Sequence, residues 1–356
     1  MFKKNNKKRK ITNVSLKADY DASVFKFLKP TNNGFLSQMS GVDLQDLIIL
    51  LNDYYMQLRD RLGFSKKVTF GLELEFENAN KDLISFQLSE SFPKDNWILK
   101  HDSTLHNGAE ISSPILQDTK ANWENLNKVC MIVDSLALIG TRSGGHIHIG
   151  TQALGNNRDS WLNFIKIWSV YENIIFRFAY GEFLTSRPSM WNYARPVAKN
   201  FWEDYEELEE EQANLESIIA KISHRRLQAV NFNNVLKSNC DYYGVGNTIE
   251  FRCPNGSLDA AIWQNNVNLF VNLLSYCRSS AFNDNLVFRR RQLNLDKFSD
   301  LRWYDEIYLD QALEFCDMIF SNNFDKVCFL KQYLKDLHCY KNYKEYSKAF
   351  SLTKKK

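Results

Sequence analysis

No stretch of this chain stays apolar for the roughly 18–20 residues that a membrane helix needs. The longest candidates, LIILL and MIVDSLALIG, are short or interrupted, so no membrane association is expected. The seven cysteines, at 130, 240, 253, 277, 316, 328 and 339, are odd in number and form no CxxC pair. That argues against a disulfide framework and for reduced thiols in a cytoplasmic protein. The basic start, MFKKNNKKRK, is followed by no apolar segment, so it does not read as a secretory signal. Internal repeats are absent, and the two lysine-rich ends are the sole low-complexity stretches.

A strong net charge is missing too, but the formal +3 hides an asymmetry. Six of the first ten residues and all of the last three are Lys or Arg; without those nine the body is near −6. Such tails read as solvated ends that could touch nucleic acid or anionic lipid weakly. The body lacks the interleaved aromatic and basic residues of a nucleic-acid platform, so no stronger contact of that kind is expected.

What is present is ample material for a core: 356 residues, 44% apolar and 14% aromatic. Three regions are expected. Residues 1–62 hold the basic tail and an amphipathic helix, GVDLQDLIILLNDYYMQLRDRLG, closed by Gly63. Residues 66–280 alternate strand-like and helix-like segments. Residues 285–356 read as helices, with Asp305 and Asp325 as N-terminal charges, ending in the lysine tail. Within the middle region, DSWLNFIKIWSVYENIIFRFAYG carries an aromatic stripe at helical spacing, which marks core. WEDYEELEEEQANLESIIAKI reads as one largely solvated helix.

Histidine is scarce, at six residues, yet two of them share GGHIHIG. Side chains of a strand alternate, so His146 and His148 face one way while Ile147 and Ile149 face a core. VTFGLELEF repeats the logic: Phe70, Leu72, Leu74 and Phe76 on one face, Glu73, Glu75 and the following Glu77 on the other. In NTIEFR, Ile249 and Phe251 face inward and Glu250 and Arg252 outward. NWILKHD and GAEISSP read as two further strands, the second bearing Glu110.

If these faces belong to one sheet, four carboxylates and two imidazoles crowd a small area. Like charges so close need neutralising. Divalent cations do this, and an oxygen-rich set with some imidazole suits Mg²⁺ or Mn²⁺ better than zinc. An arginine amid carboxylates suits an anionic substrate such as a phosphoryl group in transfer.

The motifs GLELEFE, HDSTLHNGAEISSPIL, GGHIHIG and NTIEFRCPNGSLDAAIW, in that order, resemble those of the amidoligases. That family is related to glutamine synthetase and glutamate–cysteine ligase. The resemblance covers about residues 66–280. It implies an α+β fold, a curved antiparallel sheet of the glutamine synthetase and glutamate–cysteine ligase type with flanking helices. It also implies ATP, Mg²⁺ (or Mn²⁺) and an acid and an amine as substrates, the acid being a small molecule or a peptide; an oligomer is compatible with it. By matching motifs, Glu73, Glu75, Glu110 and Glu250 would be metal ligands. Of His146 and His148, one would bind metal and the other phosphate. Arg252 would stabilise the transferring phosphoryl group. Asp102 could position or deprotonate the amine, or serve only in a turn. Arg195, Arg225 and Arg226, with Arg187 and Lys199, are cationic candidates for phosphate or a substrate carboxylate. The implied chemistry is amide formation through an acyl phosphate. Alternatives are a metal-dependent phosphodiesterase or nuclease and a guanidino-type kinase. One departure is Thr248, where glutamine synthetase has an arginine two residues before the glutamate of E-x-R. No motif supplies that enzyme's glutamate-binding loop or ammonium site, so neither of its substrates is inherited.

Overall fold

A computed structural model describes residues 36–38, 44, 47–49, 51, 56–94, 96–222, 227–235, 247–294 and 301–335. The basic tail, the lysine tail, Arg225, Arg226, Cys240 and Cys339 lie outside these residues.

Six strands form one antiparallel sheet: β1 (Phe70–Phe76), β2 (Ile98–His101), β3 (Ala109–Ser112), β4 (Gly145–Gly150), β5 (Val230–Asn231) and β6 (Thr248–Phe251). Their order across the sheet is β2-β3-β1-β4-β6-β5, which leaves it open, with β1 and β4 in the middle. The helices are α1 (Lys81–Ser91), α2 (Lys120–Asp134), α3 (Arg158–Ala179), α4 (Met190–Tyr193), α5 (Ala198–Glu210), α6 (Leu215–Ile222), α7 (Ala260–Cys277), α8 (Asp284–Asn294), α9 (Leu309–Ile319) and α10 (Asn323–Leu334). The fold is α+β, with helices flanking an antiparallel sheet. Side-chain oxygens cap several helix starts, as at Asn80, Thr119, Asn157, Asp259 and Asn322. None of the helices among the described residues is long and apolar enough to cross a membrane.

Period-two alternation builds the two faces of the sheet. Phe70, Leu72, Leu74, Phe76, Ile111, Ile147, Ile149, Ile249 and Phe251 are all buried. On that face Phe70 stacks on Trp123 of α2 at 4.9 Å between ring centres. Phe251 stacks on Phe270 of α7 at 4.0 Å and meets Trp168 of α3 at 5.7 Å. The aromatic stripe of α3 is therefore core. One contiguous apolar cluster runs from Leu36 to Leu334 and takes in α9 and α10.

The paired glycines before HIHIG have steric reasons. A Cβ on Gly144 would lie 2.8 Å from the Arg187 guanidinium, and one on Gly145 would collide with the Trp263 ring. Close packing on both sides of the entry to β4 leaves room for no side chain.

Several elements differ from their sequence reading. Residues 44, 47–49 and 51 are helical, but 56–62 are not. Their backbone is bound to side chains instead. The Arg59 N–H donates to Gln264 Oε1 at 2.8 Å, and the N–H groups of Leu62, Gly63 and Phe64 donate to the Asp118 carboxylate. The acidic segment 202–222 is two helices, α5 and α6, broken at Gln212, whose φ is +49°. Asp305 starts no helix, since α9 begins at Leu309; its carboxylate accepts the Ser186 N–H at 3.3 Å. Asp325 does lie in the first turn of α10, where it also pairs with Arg59 at 2.5 Å. Five cysteines are described, all free and buried.

Candidate metal centre

Register places the polar side chains. Glu73 lies opposite His146 on β4 and Ser112 on β3, and Glu75 lies opposite Glu110. His148 is flanked by Gly71 on one side and Glu250 on the other, and Asn231 lies beyond Glu250. The face opposite the core thus carries every carboxylate and imidazole that alternation assigned to it.

The contacts are close. His146 Nδ1 is 2.7 Å from Glu73 Oε2 and 3.7 Å from Glu250 Oε1, while its Nε2 is 3.5 Å from Glu75 Oε1. Glu75 Oε2 accepts the Gly144 N–H at 2.5 Å. Glu250 accepts Asn231 Nδ2 at 2.5 Å on one oxygen and the Arg252 guanidinium on the other. Arg252 Nε donates to the Tyr193 carbonyl at 3.0 Å. Glu110 accepts Ser112 Oγ at 2.9 Å and faces Lys100 Nζ at 3.5 Å.

Charge follows from this geometry. Burial opposes ionisation of Glu73, but the His146 hydrogen bond and the adjoining His148 ring outweigh it and hold the carboxyl well below the usual range. Burial favours a neutral His146; the Glu73 hydrogen bond and the Glu75 charge overcome that and raise its pKa. Glu110 shifts the other way, raised first by burial and then by the Glu73 charge. Three carboxylates around His146 thus favour its charged form.

Three overlapping ligand sets result: Glu73, His148 and Glu250; Glu73, Glu110 and His146; Glu75, Asp102 and Glu110. Within each set one donor atom per residue lies within 4.8 Å of the others. Glu73 and Glu110 each serve two sets, so two or three cations would sit close together. His148 Nε2 is buried without a hydrogen-bond partner, 3.4 Å from Glu73 Oε1 but poorly aligned with it. A buried imidazole nitrogen without a hydrogen-bond partner beside a carboxylate fits a metal ligand's role. Donors that are mostly oxygen fit Mg²⁺ or Mn²⁺.

Asp102 reaches this group although it also makes a turn, its Oδ1 accepting the Thr104 N–H and Oγ1 at 2.7 Å each. The cationic candidates fare differently. Arg187 is buried and spends its guanidinium on the carbonyls of Pro254 and Arg252, which makes it a brace under β4. Lys199 is on the exposed face of α5, 3.8 Å from Glu203. Arg195 is exposed beside the bridge to Gln228, and its side chain makes no ion pair among the described residues. The structure thus brings neither Lys199 nor Arg195 to the carboxylates, while Arg187 lies close enough to feel the Glu75 charge but spends its donors on carbonyls.

Two residues were given no role in the sequence reading, though alternation does put Glu77 on the face of Glu73 and Glu75. Asn231 holds Glu250, but β5 is only two residues long, too short to show alternation. Glu77 is buried and accepts the N–H groups of His106 at 2.8 Å and Arg142 at 3.4 Å. It thereby ties together the loops flanking the ligand sets. Its position in the E-x-E-x-E run GLELEFE was the available signal.

The antiparallel sheet thus has one face in the core and a carboxylate–imidazole array on the other. The chain matches the family model described as "Putative amidoligase enzyme" over residues 91–274, more than half its length, and belongs to that family. The match spans Glu110, His146, His148, Glu250 and Arg252; β1, with Glu73 and Glu75, precedes it. Membership indicates a ligase-type enzyme. No curated protein matches the chain.

Proposed function

We propose that this protein is an ATP- and Mg²⁺-dependent (or Mn²⁺-dependent) carboxylate–amine ligase that forms an amide or peptide-like bond through an acyl phosphate. The observation that carries this reading is the overlap of three ligand sets on one sheet face, sharing Glu73 and Glu110, in a chain of the amidoligase family. On this reading the sheet is of the glutamine synthetase and glutamate–cysteine ligase type. Glu73, Glu75, Glu110, Glu250, His146 and His148 would hold the cations. When bound, those cations neutralise the nucleotide's phosphates and align the γ-phosphate for in-line transfer.

The chain's own residues supply the rest. A substrate carboxylate oxygen attacks the γ-phosphorus and the bond to ADP breaks, giving an acyl phosphate. Arg252, fixed by Glu250 and the Tyr193 carbonyl, keeps N–H donors in reserve for the phosphoryl oxygens. An amine then attacks the acyl carbon and phosphate leaves. Asp102, with Oδ1 committed to its turn, has a second oxygen to orient the amine or accept its proton.

Incubation with MgATP, hydroxylamine as a general amine, and a panel of acids and peptides tests the proposal. The expected products are a hydroxamate and ADP in equal amounts. ATP-independent cleavage of phosphodiesters would instead identify a phosphodiesterase. A phosphorylated guanidine with no hydroxamate would identify a kinase.

A further inference from the structure

The hairpin loop between β2 and β3, residues 102–108, begins with Asp102 and is anchored at its far limb. Just past β1, Asn78 turns the chain in the left-handed region, at φ +54°. The Asn78 and Ala79 N–H groups then donate to the carbonyls of His106 at 3.2 Å and Asn107 at 3.0 Å. Glu77, the residue before the turn, completes the anchor with its side chain. Its Oε1 accepts the His106 N–H at 2.8 Å, and its Oε2 accepts the Arg142 N–H at 3.4 Å. The Arg142 guanidinium donates to the Thr104 carbonyl at 3.3 Å, and Thr104 donates to Asp102 Oδ1. One carboxylate thus grips the loop directly at His106 and, through Arg142, at Thr104.

A carboxylate suits this place because both of its oxygens accept and both of its partners are backbone donors. A glutamine amide would meet one of them with N–H groups of its own. Glu77 is also buried, and among the described residues it forms no ion pair. Burying an unpaired charge opposes folding, so stability alone would favour a neutral residue there. Gly140 belongs to the same device. Its backbone is not left-handed, so conformation does not call for glycine. A Cβ there would instead lie 1.5 Å from Glu77 Oε2 and 2.5 Å from its carboxyl carbon. The glycine keeps the carboxylate's place open.

What the carboxylate holds is Asp102. That residue shares a ligand set with Glu75 and Glu110, yet β2 ends at His101 and strand pairing does not reach it. Glu75 and the start of β4 are secured by other means. Glu75 accepts the Gly144 N–H, Gly144 bridges to Asn255, and the Gly145 N–H donates to the Pro254 carbonyl at 3.0 Å. Loss of the Glu77 carboxylate therefore frees the hairpin loop and leaves the strands paired.

We propose that Glu77 is a positioning residue that holds the 102–108 loop so that Asp102 meets Glu75 and Glu110, and that it serves the amine step through Asp102. The proposal rests on the ligase reading for what Asp102 does, and on the geometry alone for what Glu77 does to Asp102.

Hydrogen exchange and steady-state kinetics on the full-length protein test it. In Glu77→Ala, amides of residues 102–108 and 140–143 should exchange faster, while those of β1 and β4 stay as protected as in wild type. With MgATP and an accepted acid, kcat/KM for hydroxylamine should fall about 10- to 100-fold, the scale for losing a group that orients a ligand. Affinity for a nonhydrolysable ATP analogue with Mg²⁺ should stay within about threefold of wild type. A fold defect would show in that affinity, and two milder variants then carry the comparison. Glu77→Gln, which keeps one acceptor, should lie between wild type and Glu77→Ala. Gly140→Ala, which displaces the carboxylate without removing it, should reproduce the loss and add little to Glu77→Ala. Asp102→Asn keeps the acceptor for its turn but offers the amine none. In that background Glu77→Ala should cost no further activity with hydroxylamine, because residues that act through one group are not additive. A full second loss there would mark a purely structural role and overturn the proposal. So would unchanged exchange in the two loops, or wild-type activity in Gly140→Ala. A wild type that forms no hydroxamate would overturn the ligase reading alone, because loop exchange is read without substrates.

Discussion

Glu73 and His146 face each other directly across the β1–β4 ladder, with Glu73 Oε2 2.7 Å from His146 Nδ1. Both belong to one ligand set, and Glu73 belongs to a second. Without cations the pair is self-neutralising: the imidazolium lowers the carboxyl's pKa and the carboxylate raises the imidazole's. A cation that takes the His146 ring as ligand competes with a proton for it.

Metal binding should accordingly release protons. The raised pKa of His146 means that Mg²⁺ or Mn²⁺ competes with H⁺ for the ring, because a ligand imidazole must be neutral. Apparent metal affinity should fall as pH drops below that pKa, and the calorimetric heat should vary with the ionisation enthalpy of the buffer. Metal with a nonhydrolysable ATP analogue at about 100 times its dissociation constant should add about 2.7 kcal/mol of stability, and EDTA should remove it. Buffer-independent heats would show that His146 is not in the coordination sphere.

Two carboxylate substitutions should move metal-free stability in opposite directions. Crowding alone suggests that removing any of these acids would relieve repulsion. The geometry restricts that to Glu110, whose pKa is raised by burial and the Glu73 charge. Glu110→Gln should raise stability by about 0.5–1 kcal/mol. Glu73→Gln should lower it by about 1.5–3 kcal/mol, since it breaks a charge-assisted hydrogen bond to a buried imidazole. Both should reduce metal affinity by at least about 10- to 100-fold. Urea unfolding in EDTA, alongside metal titration, reads the two effects separately.

Arg252→Lys should damage rate far more than fold. Lysine can keep the ion pair to Glu250 but cannot also span to the Tyr193 carbonyl in a fixed plane. Loss of a preorganised donor to transition-state charge costs about 10²- to 10³-fold in turnover. ATP consumption with acid and amine present, set against the melting temperature of the variant, provides the comparison. Wild-type turnover in the lysine variant would remove Arg252 from the phosphoryl site.

Far from the centre, Glu172 should make stability depend on pH. Its carboxylate is fully buried and accepts the Val197 and Ala198 N–H groups, Trp168 Nε1 and the Tyr304 hydroxyl. Burial nevertheless dominates and pushes its pKa up to about 7. A carboxyl raised on folding contributes stability that is complete below its unfolded pKa near 4.5 and lost as pH rises toward 7. At about 1.4 kcal/mol per unit, the loss is about 3 kcal/mol. Glu172→Gln should be less stable at low pH and show a shallower decline between pH 4.5 and 7. Identical slopes in urea unfolding of the two proteins would contradict the burial argument.

Legibility in the sequence tracked the reach of each interaction. Alternation in VTFGLELEF and GGHIHIG, set by neighbours two residues apart, assigned Glu73, Glu75, His146 and His148 to one face. The E-x-R motif gave Glu250 and Arg252 in the same way. Pairing was not legible, because nothing local says that Glu75 sits opposite Glu110 or that Glu73 serves two ligand sets. The end of the N-terminal helix was misjudged because Asp118 and Gln264, distant in sequence, capture its backbone N–H groups. The split of 202–222 was hidden by uniformly acidic, helix-favouring composition on both sides of Gln212. Arg187, a plausible anion binder by residue type, became a brace once Pro254 and Arg252 presented carbonyls to it.

The strand order also sets a timetable for synthesis. Glu75, Asp102 and Glu110 all precede residue 113, so their ligand set needs only β1, its partner β3 and the loop before it. The set of Glu73, Glu110 and His146 waits for β4 to add to the other edge of β1. The third waits for Glu250, 177 positions after Glu73. As the chain leaves the ribosome from its N-terminus, the three sets become available one after another from one edge of the sheet toward the other, and the last cannot exist until some 250 residues have emerged.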